Sequence, residues 1–405
     1  MKKIKAFLIL LCCLMMCSCS GVYEYFGEGG LQSDINELFG ETLFEEEVSY
    51  KEPSKIEVSD YYTTPYDSSV ERDLSESEVE LYNLMCYYIE RYDLSFHFDD
   101  VNEDEVINAY MSVMDDHPEY FWMNKGYRYT KTTLGTHTEI DFVPTSQEDV
   151  GEIVAKDAKF KTLVKGIAEE AAKLENIYDK VLYVHDFIVD NTTYDHEAAE
   201  SNDKDDGYDK YFDSRNAYGC LINGKAVCSG YASAFQCIMK ELEIPCGYIT
   251  GQAVDGGEAH AWNYVKLGDY NYQIDVTWDD SSYTSDEGEK SERKSYDYFL
   301  ITTEEAEITH IIDKDQNIPI CSGLEYNYYI YNNLYFPEYD FDYVAYVIRD
   351  HVPYGSVTIK FGSHEECQAA YEDLIENDRI FRIDGVNGSI SYIQGNNGLT
   401  LTFTF

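Results

Sequence analysis

In residues 223–235, NGKAVCSGYASAF, a glycine-flanked turn leads into an apolar helical pattern. Apolar residues recur at helical spacing from Ala232 to Leu242, and Pro245 ends the pattern. Cys228 then lies in the first turn of the predicted helix. Unpaired N–H groups and the positive end of the helix dipole favour an anion there, so we expect this thiol to ionise more readily than a free cysteine. Cys228 is therefore a candidate nucleophile.

A nucleophilic thiol needs a base and a group that orients the base, and residues 258–280, EAHAWNYVKLGDYNYQIDVTWDD, supply His260 and Asp275. Alternating side chains predict two strands joined by a turn at Gly268–Asp269. A loop of two or four residues would place Asp275 on the same sheet face as His260, directly opposite it or one diagonal step away. An odd-length loop would place Asp275 and His260 on opposite faces of the sheet. The spacing thus allows Asp275 to bind one ring nitrogen while the other faces Cys228.

Three motifs, GKAVCSGYA, HAWN and DVTWDD, in that order, resemble the core of the transglutaminase-like superfamily. The resemblance covers roughly residues 175–300. It implies a transglutaminase-like (papain-like) α+β core in which a nucleophile helix packs on an antiparallel sheet; local sequence patterns predict two smaller α+β domains that flank this core. Carried over residue by residue, the resemblance makes Cys228 the nucleophile, His260 the general base and acid, and Asp275 the residue that orients the imidazole.

The resemblance implies the substrate class only in outline, because the superfamily includes cross-linking enzymes, peptidases, amidases and members without activity. We expect attack on a protein or peptide amide through a thioester, with water or a lysine amine as the acceptor. The N–H of Cys228 should help to bind the oxyanion, and Asn223 or Tyr218 is a candidate second donor. The alternative is a catalytically silent surface lipoprotein that keeps the fold for binding or scaffolding.

No metal or organic cofactor is expected. A zinc site would need more ligands near Cys228, and neither a CxxC pair nor a second nearby histidine accompanies it in the sequence. His185 lies among apolar residues at helical spacing, where a histidine usually finds a hydrogen-bond partner in the core. We therefore interpret His185 as structural rather than as a ligand or catalytic group.

The first residues, MKKIKAFLILLCCLMMCSCSG, predict an export signal with a lysine-rich start and a short apolar run. The end of this run resembles a bacterial lipoprotein cleavage box in which Cys19 carries the lipid, since Ser18 is the small residue that such a box needs. Cleavage before Cys17 would leave Met16 at that place. We expect lipid anchoring on the extracellular face of the cell membrane, with a secreted protein as the alternative.

The chain is strongly acidic, with 30 basic against 77 acidic residues and a net charge of −47. Such a surface is repelled by phosphate backbones and anionic lipid headgroups, which excludes most nucleic-acid roles. It favours solubility and can attract cationic proteins or divalent cations. We expect protein or peptide substrates, membrane attachment only through the N-terminal lipid, and a monomeric state.

Seven cysteines lie outside the signal region, and an odd number in a chain of this size argues against a disulfide framework. We expect mostly buried free thiols and one reactive thiol at Cys228. A disulfide between Cys220 and Cys228 is not expected.

The predicted organisation is a signal peptide at residues 1–19, a flexible tether at 20–60, an accessory α+β domain at 61–145, the catalytic domain at 146–315 and a small α+β domain at 316–405. The accessory domain is predicted to have helices beginning near Ser75 and Glu103, followed by strands in YFWMN, YRYTKTTL and HTEIDFVP. Its Tyr120–Trp122 aromatics are predicted to be core residues.

Two further predictions concern the later part of the chain. The segment YDYFLITT, residues 296–303, reads as a strand that closes the core sheet. In the last domain, SVTIKF predicts a strand, Ser363 and Glu366 predict a capping box for a helix through Ile375, and ISYIQ with LTLTFTF predicts a terminal hairpin across GNNG.

Overall fold

The first described segment consists of two helices and a three-stranded antiparallel sheet. The structure is a computed structural model that describes residues 74–405, with gaps at 147–148, 202–208, 255, 281–282, 285–289, 292–293, 315 and 317. The elements of this segment are α1 (Glu76–Ile89), β1 (Phe96–Asp99), α2 (Glu103–Asp116), β2 (Met123–Leu134) and β3 (His137–Ser146). Helix α1 begins at a capping box, in which the Ser75 hydroxyl accepts from the N–H of Glu78 and the Glu78 carboxylate accepts from the N–H of Ser75.

The predicted strand YFWMN is wrong. Residues 118–122 lie in a turn region, and the strand from Met123 to Leu134 is continuous, with a register shift between Met123 and Tyr127. The reason is packing, because Phe121 and the neighbouring Trp122 are both buried and therefore do not alternate between a core and a solvent face. The prediction that these aromatics belong to the core is confirmed.

The central segment is built on a four-stranded antiparallel sheet in the order β11–β6–β7–β8. Helix α6 packs on β7, beside α3 and α4. The elements of this segment are α3 (Val150–Ala172), α4 (Ile177–Asn191), β4 (Thr193–Tyr194), α5 (His196–Glu200), β5 (Lys225–Ala226), α6 (Cys228–Glu241), β6 (Cys246–Ala253), β7 (Ala259–Leu267), β8 (Tyr270–Ile274), α7 (Val276–Asp279), β9 (Tyr283–Thr284), β10 (Lys290–Ser291), α8 (Thr303–Ala306) and β11 (His310–Ile312).

The strand predicted at residues 296–303 is also wrong. Turns occupy residues 297–300, and Ile301 pairs with the sheet through a single antiparallel bridge to Gln273. Tyr298, Phe299 and Leu300 are all buried, a pattern that a strand with one solvent face does not produce. The fourth strand of the sheet comes instead from β11.

The last segment has its own apolar core and a four-stranded sheet in the order β12–β13–β15–β14. Its elements are α9 (Tyr328–Tyr331), β12 (Tyr335–Phe336), α10 (Phe341–His351), β13 (Ser356–Phe361), α11 (His364–Tyr371), β14 (Ser391–Gln394) and β15 (Thr400–Thr404). The predicted strand and terminal hairpin are confirmed. Ser363 caps α11, but the Glu366 carboxylate accepts from the N–H of Tyr339, so the second half of the predicted capping box does not form.

The α+β fold class predicted from the sequence is confirmed by these elements. All described residues belong to one compact unit, Tyr50–Phe405, and the predicted domain boundaries stay predictions. None of the helices in the described ranges is both long and apolar enough to cross a bilayer. The predicted export signal, the lipidated Cys19 and the tether lie outside the described residues.

Candidate active site

Cys228 is the first residue of α6, as the sequence predicts, and it is the partly exposed member of the seven free cysteines from Cys86 onward; the other six are buried. The start of α6 is fixed by a preceding short helical segment, whose Ser214 carbonyl accepts from the N–H of Val227 at 2.8 Å. A Cβ at Gly230 would lie 2.9 Å from that same carbonyl oxygen, so the close approach requires glycine.

The hairpin that carries the other two candidate residues has a two-residue loop, since Leu267 pairs with Tyr270. Its register places Asp275 one diagonal step from His260, one of the two arrangements that the sequence allowed. Strand β8 ends at Ile274, and Asp275 becomes the N-cap of α7.

The capping role fixes the Asp275 carboxylate. Its Oδ1 accepts from the N–H groups of Thr277 and Trp278 at 3.0 and 3.2 Å. Its Oδ2 lies 2.6 Å from Nε2 of His260. Because a carboxylate only accepts, Nε2 carries the proton, and the nitrogen left for the hydrogen bond between His260 and the Cys228 thiol is Nδ1. The structure therefore brings together all three residues that the sequence selects.

The electrostatics of this group favour a protonated imidazole. Burial of His260 opposes its charge, but the Asp275 carboxylate and the hydrogen bond to Cys228 outweigh burial and raise the pKa of His260 to about 10. Burial likewise opposes the Asp275 charge, and the nearby His260 and His310 rings reverse this effect and hold the pKa of Asp275 well below its usual range. The two groups thus form a buried ion pair at neutral pH.

His310 is a contact that the sequence reasoning missed. It opens strand β11, is 2% exposed, and its Nε2 lies 3.1 Å from Oδ2 of Asp275. Its Nδ1 lies 2.9 Å from the Thr309 hydroxyl. Two imidazoles therefore share one carboxylate oxygen. The sequence around His310, EITHII, has no spacing that links it to the hairpin, so only the pairing of β11 with β6 reveals the contact.

Two tryptophans cover these polar groups. Trp262 lies nearly parallel to the ring of His260, with centroids 5.7 Å apart, and Trp278 lies against His310 with centroids 4.4 Å apart. The Trp262 indole is itself anchored, because its Nε1 donates to Gln273 at 2.8 Å. The aromatic cover keeps Asp275 and His260 largely out of water, which strengthens their interaction.

Two tyrosine hydroxyls lie within electrostatic range of the Cys228 sulfur. Burial, followed by the charge of Cys228, raises the pKa of Tyr194 to about 12. The same two causes raise the pKa of Tyr248 more strongly. Both phenols therefore remain proton donors at neutral pH. Of the donors suggested by the sequence, Asn223 donates to Asp213 at 3.2 Å, and the Tyr218 ring packs on Phe121 with centroids 4.8 Å apart. A donor role for the Tyr218 hydroxyl stays a prediction.

His185 has the structural role that its helical spacing indicated. Its ring is fully buried in α4, with Nδ1 2.9 Å from Asp186 and Nε2 3.2 Å from Asp279, the last residue of α7. Burial opposes its charge, but the two carboxylates outweigh this and raise the pKa of His185 to about 9. His185 thus holds the far end of the short helix that Asp275 caps.

Ligand-type atoms of His260, Asp275 and His310 lie within 4.8 Å of one another, close enough to hold a metal ion. Both rings already direct Nε2 at Asp275, so an ion would have to displace both ring protons. The absence of a metal from the reaction stays a prediction.

The middle of the chain is similar to a known protein family. Residues 163–275 match the model of the transglutaminase-like superfamily, which confirms the resemblance inferred from the motifs. No curated protein matches the chain.

Three solved structures are similar to the chain at low identity. A structure of a TGase is 18% identical, with a TM-score of 0.27, over 45% of this chain and 50% of that chain. A "putative cysteine protease" from Cytophaga hutchinsonii is 19% identical, with a TM-score of 0.24, over 38% and 62%. A "putative protease" from Parabacteroides distasonis is 8% identical, with a TM-score of 0.19, over 42% and 40%. The chain therefore spans between 40% and 62% of the length of these solved chains.

Proposed function

We propose that the transglutaminase-like core of this chain is a cysteine-dependent hydrolase or acyltransferase that opens protein or peptide amides through a thioester on Cys228. The observation that carries the proposal is the position of the His260 ring, which is held by Asp275 at 2.6 Å on one nitrogen and hydrogen-bonded to the Cys228 thiol. Attack on an amide requires a nucleophile, a base and an acid that orients the base, in this order.

In the resting enzyme a protonated imidazole lies beside the Cys228 sulfur. The raised pKa of His260 keeps its ring protonated at neutral pH, and a positive ring next to the sulfur favours the thiolate form of Cys228. The position of Cys228 at the start of α6 adds the positive end of the helix dipole. Because the ring proton is already present, it is available for the leaving group.

In the acylation step, the Cys228 sulfur attacks the amide carbonyl carbon and a C–S bond forms. The tetrahedral oxyanion collapses, the C–N bond breaks, and the amine leaves with the proton from His260. The products are a thioester on Cys228 and a neutral imidazole. In the second step, water or an amine attacks the thioester, His260 takes its proton, the C–S bond breaks, and the thiolate–imidazolium pair is restored.

The oxyanion is bound by the N–H of Cys228 and by one phenol. No described side chain caps α6, so the N–H groups of its first turn keep no side-chain acceptor. Of the two phenols near the sulfur, we favour Tyr194 as the second donor, because β4 pairs with β5 and Tyr194 lies opposite Ala226, two residues before Cys228.

His310 acts through Asp275 as a positioning residue. Its hydrogen bond occupies the same carboxylate oxygen as His260 and so restricts rotation of the Asp275 side chain. The donated N–H also stabilises the carboxylate charge, which moderates the pull of Asp275 on the proton of His260.

The cellular setting of this proposal comes from the sequence alone. The export signal and the lipid on Cys19 would place the enzyme outside the cytoplasm, on the extracellular face of a bacterial membrane, where envelope or extracellular proteins and peptides are the available amides. We propose that it works as a monomer and without an organic cofactor.

The function is tested by incubating the protein with casein, with muropeptides and with a fluorescent amine, and comparing product release with amine incorporation. Either product should form with the intact protein and with His351→Asn, a control at the end of α10. Neither should form with Cys228→Ala. Absence of both products for every substrate, with a correctly folded protein, would favour the scaffold alternative.

A further inference from the structure

A second group of ligand-type side chains lies on the exposed face of the first sheet, outside the candidate active site. In its register His97 pairs with Asp141 and Asp99 pairs with Glu139. Residues that are directly opposite, or two apart in one strand, share a face, so these four side chains and that of His137 point to the same side. Two imidazoles and three carboxylates therefore share one face of two neighbouring strands.

Each imidazole is oriented by a carboxylate on its Nδ1. Nδ1 of His97 lies 2.8 Å from Asp141, and Nδ1 of His137 lies 2.9 Å from Asp100. Asp100 is fixed in turn, since the same oxygen accepts from the N–H of Thr138 at 3.0 Å. A carboxylate accepts, so both Nδ1 atoms carry protons, and this is the arrangement that usually orients histidines bound to a metal.

The two remaining nitrogens converge on one oxygen of Asp99, and that of His137 also faces Glu139. Nε2 of His97 and Nε2 of His137 lie 3.4 and 3.7 Å from Oδ1 of Asp99, and Nε2 of His137 lies 3.3 Å from Oε1 of Glu139. Ligand atoms at about 2.0–2.1 Å from a tetrahedral zinc ion are separated from one another by roughly 3.3–3.4 Å. The observed separations are close to these values.

The charges on this face call for a cation. If both rings are neutral, each Nε2 lone pair points at a carboxylate oxygen, and the contact is repulsive. A metal ion held between Nε2 of His137 and the oxygens of Asp99 and Glu139 would remove this repulsion.

We propose that Asp99, His137 and Glu139, whose ligand atoms lie within 4.8 Å of one another, form a binding site for Zn²⁺ or a similar imidazole-preferring divalent cation, with Asp100 orienting the His137 ring and His97 facing the same Asp99 oxygen. A nitrogen ligand beside two carboxylates suits zinc better than calcium or magnesium, which prefer oxygen alone. The ion would join β1 to β3 and so tie the hairpin to the strand beside it. This site is independent of the proposed function.

Isothermal titration calorimetry of the full chain tests the proposal, with ZnCl₂ alone as the probe and CaCl₂ as the control for diffuse binding to the acidic surface. Cys228→Ala serves as the background, so that the thiol of the candidate active site does not contribute. We expect one saturable zinc site at pH 7.5 that weakens as the pH falls, because protons compete for the His137 ring.

In this background, His97→Asn with His137→Asn should lower the zinc affinity at least tenfold, and His351→Asn should leave it unchanged. Circular dichroism checks that each variant is folded. Equal zinc affinity in all variants, or zinc binding that calcium displaces at similar concentration, would overturn the site and assign the cation to the general acidic surface.

Discussion

Oδ2 of Asp275 lies 2.6 Å from Nε2 of His260, although the strand that leads to Asp275 has already ended. Asp275 reaches the ring because it caps a short helix, with its other oxygen fixed by two backbone N–H groups. Asp275 therefore follows the last residue of β8, caps the start of α7 and orients the His260 ring. The geometry of the site depends on this triple role.

Replacing Asp275 by asparagine should abolish most activity without unfolding the chain. The Asn oxygen can still accept from the backbone N–H groups of α7, but the negative charge that holds the imidazolium is lost. We expect kcat/KM to fall roughly 10³–10⁴-fold, the loss typical of a catalytic triad with a neutralised acid. Steady-state kinetics measure it, and Asp269→Asn in the exposed hairpin turn is the matched control.

The buried ion pair should make stability depend on pH in a defined window. The pKa of His260 is raised to about 10, so its contribution is full below its unfolded value of about 6.5 and is lost as the pH rises through about 10. The pKa of Asp275 is lowered, so its contribution is present above about 3.9 and is lost in acid.

Urea unfolding of the intact chain and of His260→Gln measures this dependence. The difference between their free energies of unfolding should be greatest between about pH 4 and 6.5 and should shrink toward pH 10. A difference that stays constant from pH 5 to pH 10 would mean that the ring is not charged in the folded state.

Removing the second imidazole should alter the pH profile as well as the rate. His310→Phe deletes the N–H that stabilises the Asp275 carboxylate, so Asp275 should pull harder on the His260 proton and move the alkaline limb of kcat/KM upward. We also expect a loss of roughly tenfold in kcat from a less restricted Asp275. His310→Gln keeps an N–H donor and should restore part of both. An unchanged pH profile in His310→Phe would leave His310 with a packing role only.

The approach of β11 to the site depends on Gly251. A Cβ there would lie 2.1 Å from the carbonyl oxygen of Ile311 and 2.7 Å from the Trp262 ring. Gly251→Ala should therefore destabilise the chain by about 1–3 kcal/mol, as overpacking does in a close-packed core. Chemical denaturation measures it against Gly256→Ala, where the nearest heavy atom is 3.8 Å away and little change is expected. Equal stability of the two variants would show that β11 can shift freely.

The sequence predicted the site well where local pattern controls structure. The helical spacing after Cys228 and the strand parity around His260 placed three distant side chains correctly, because a two-residue loop fixes the register. The sequence-based prediction failed where contacts between distant segments determine the local structure. The aromatic run from Tyr298 reads as a strand but forms turns that bury every side chain, and His310 meets Asp275 only through the pairing of two strands that are distant in sequence.

The rate of alkylation by iodoacetamide measures whether His260 activates the Cys228 sulfur. Peptide mass spectrometry should locate the label on Cys228, and the reaction should still proceed at pH 6, because the protonated ring beside the sulfur stabilises its negative charge. In His260→Ala the rate at pH 6 should fall at least tenfold. If the intact protein is alkylated no faster at pH 6 than His260→Ala, the thiol is not paired with the imidazole and the enzymatic account is contradicted.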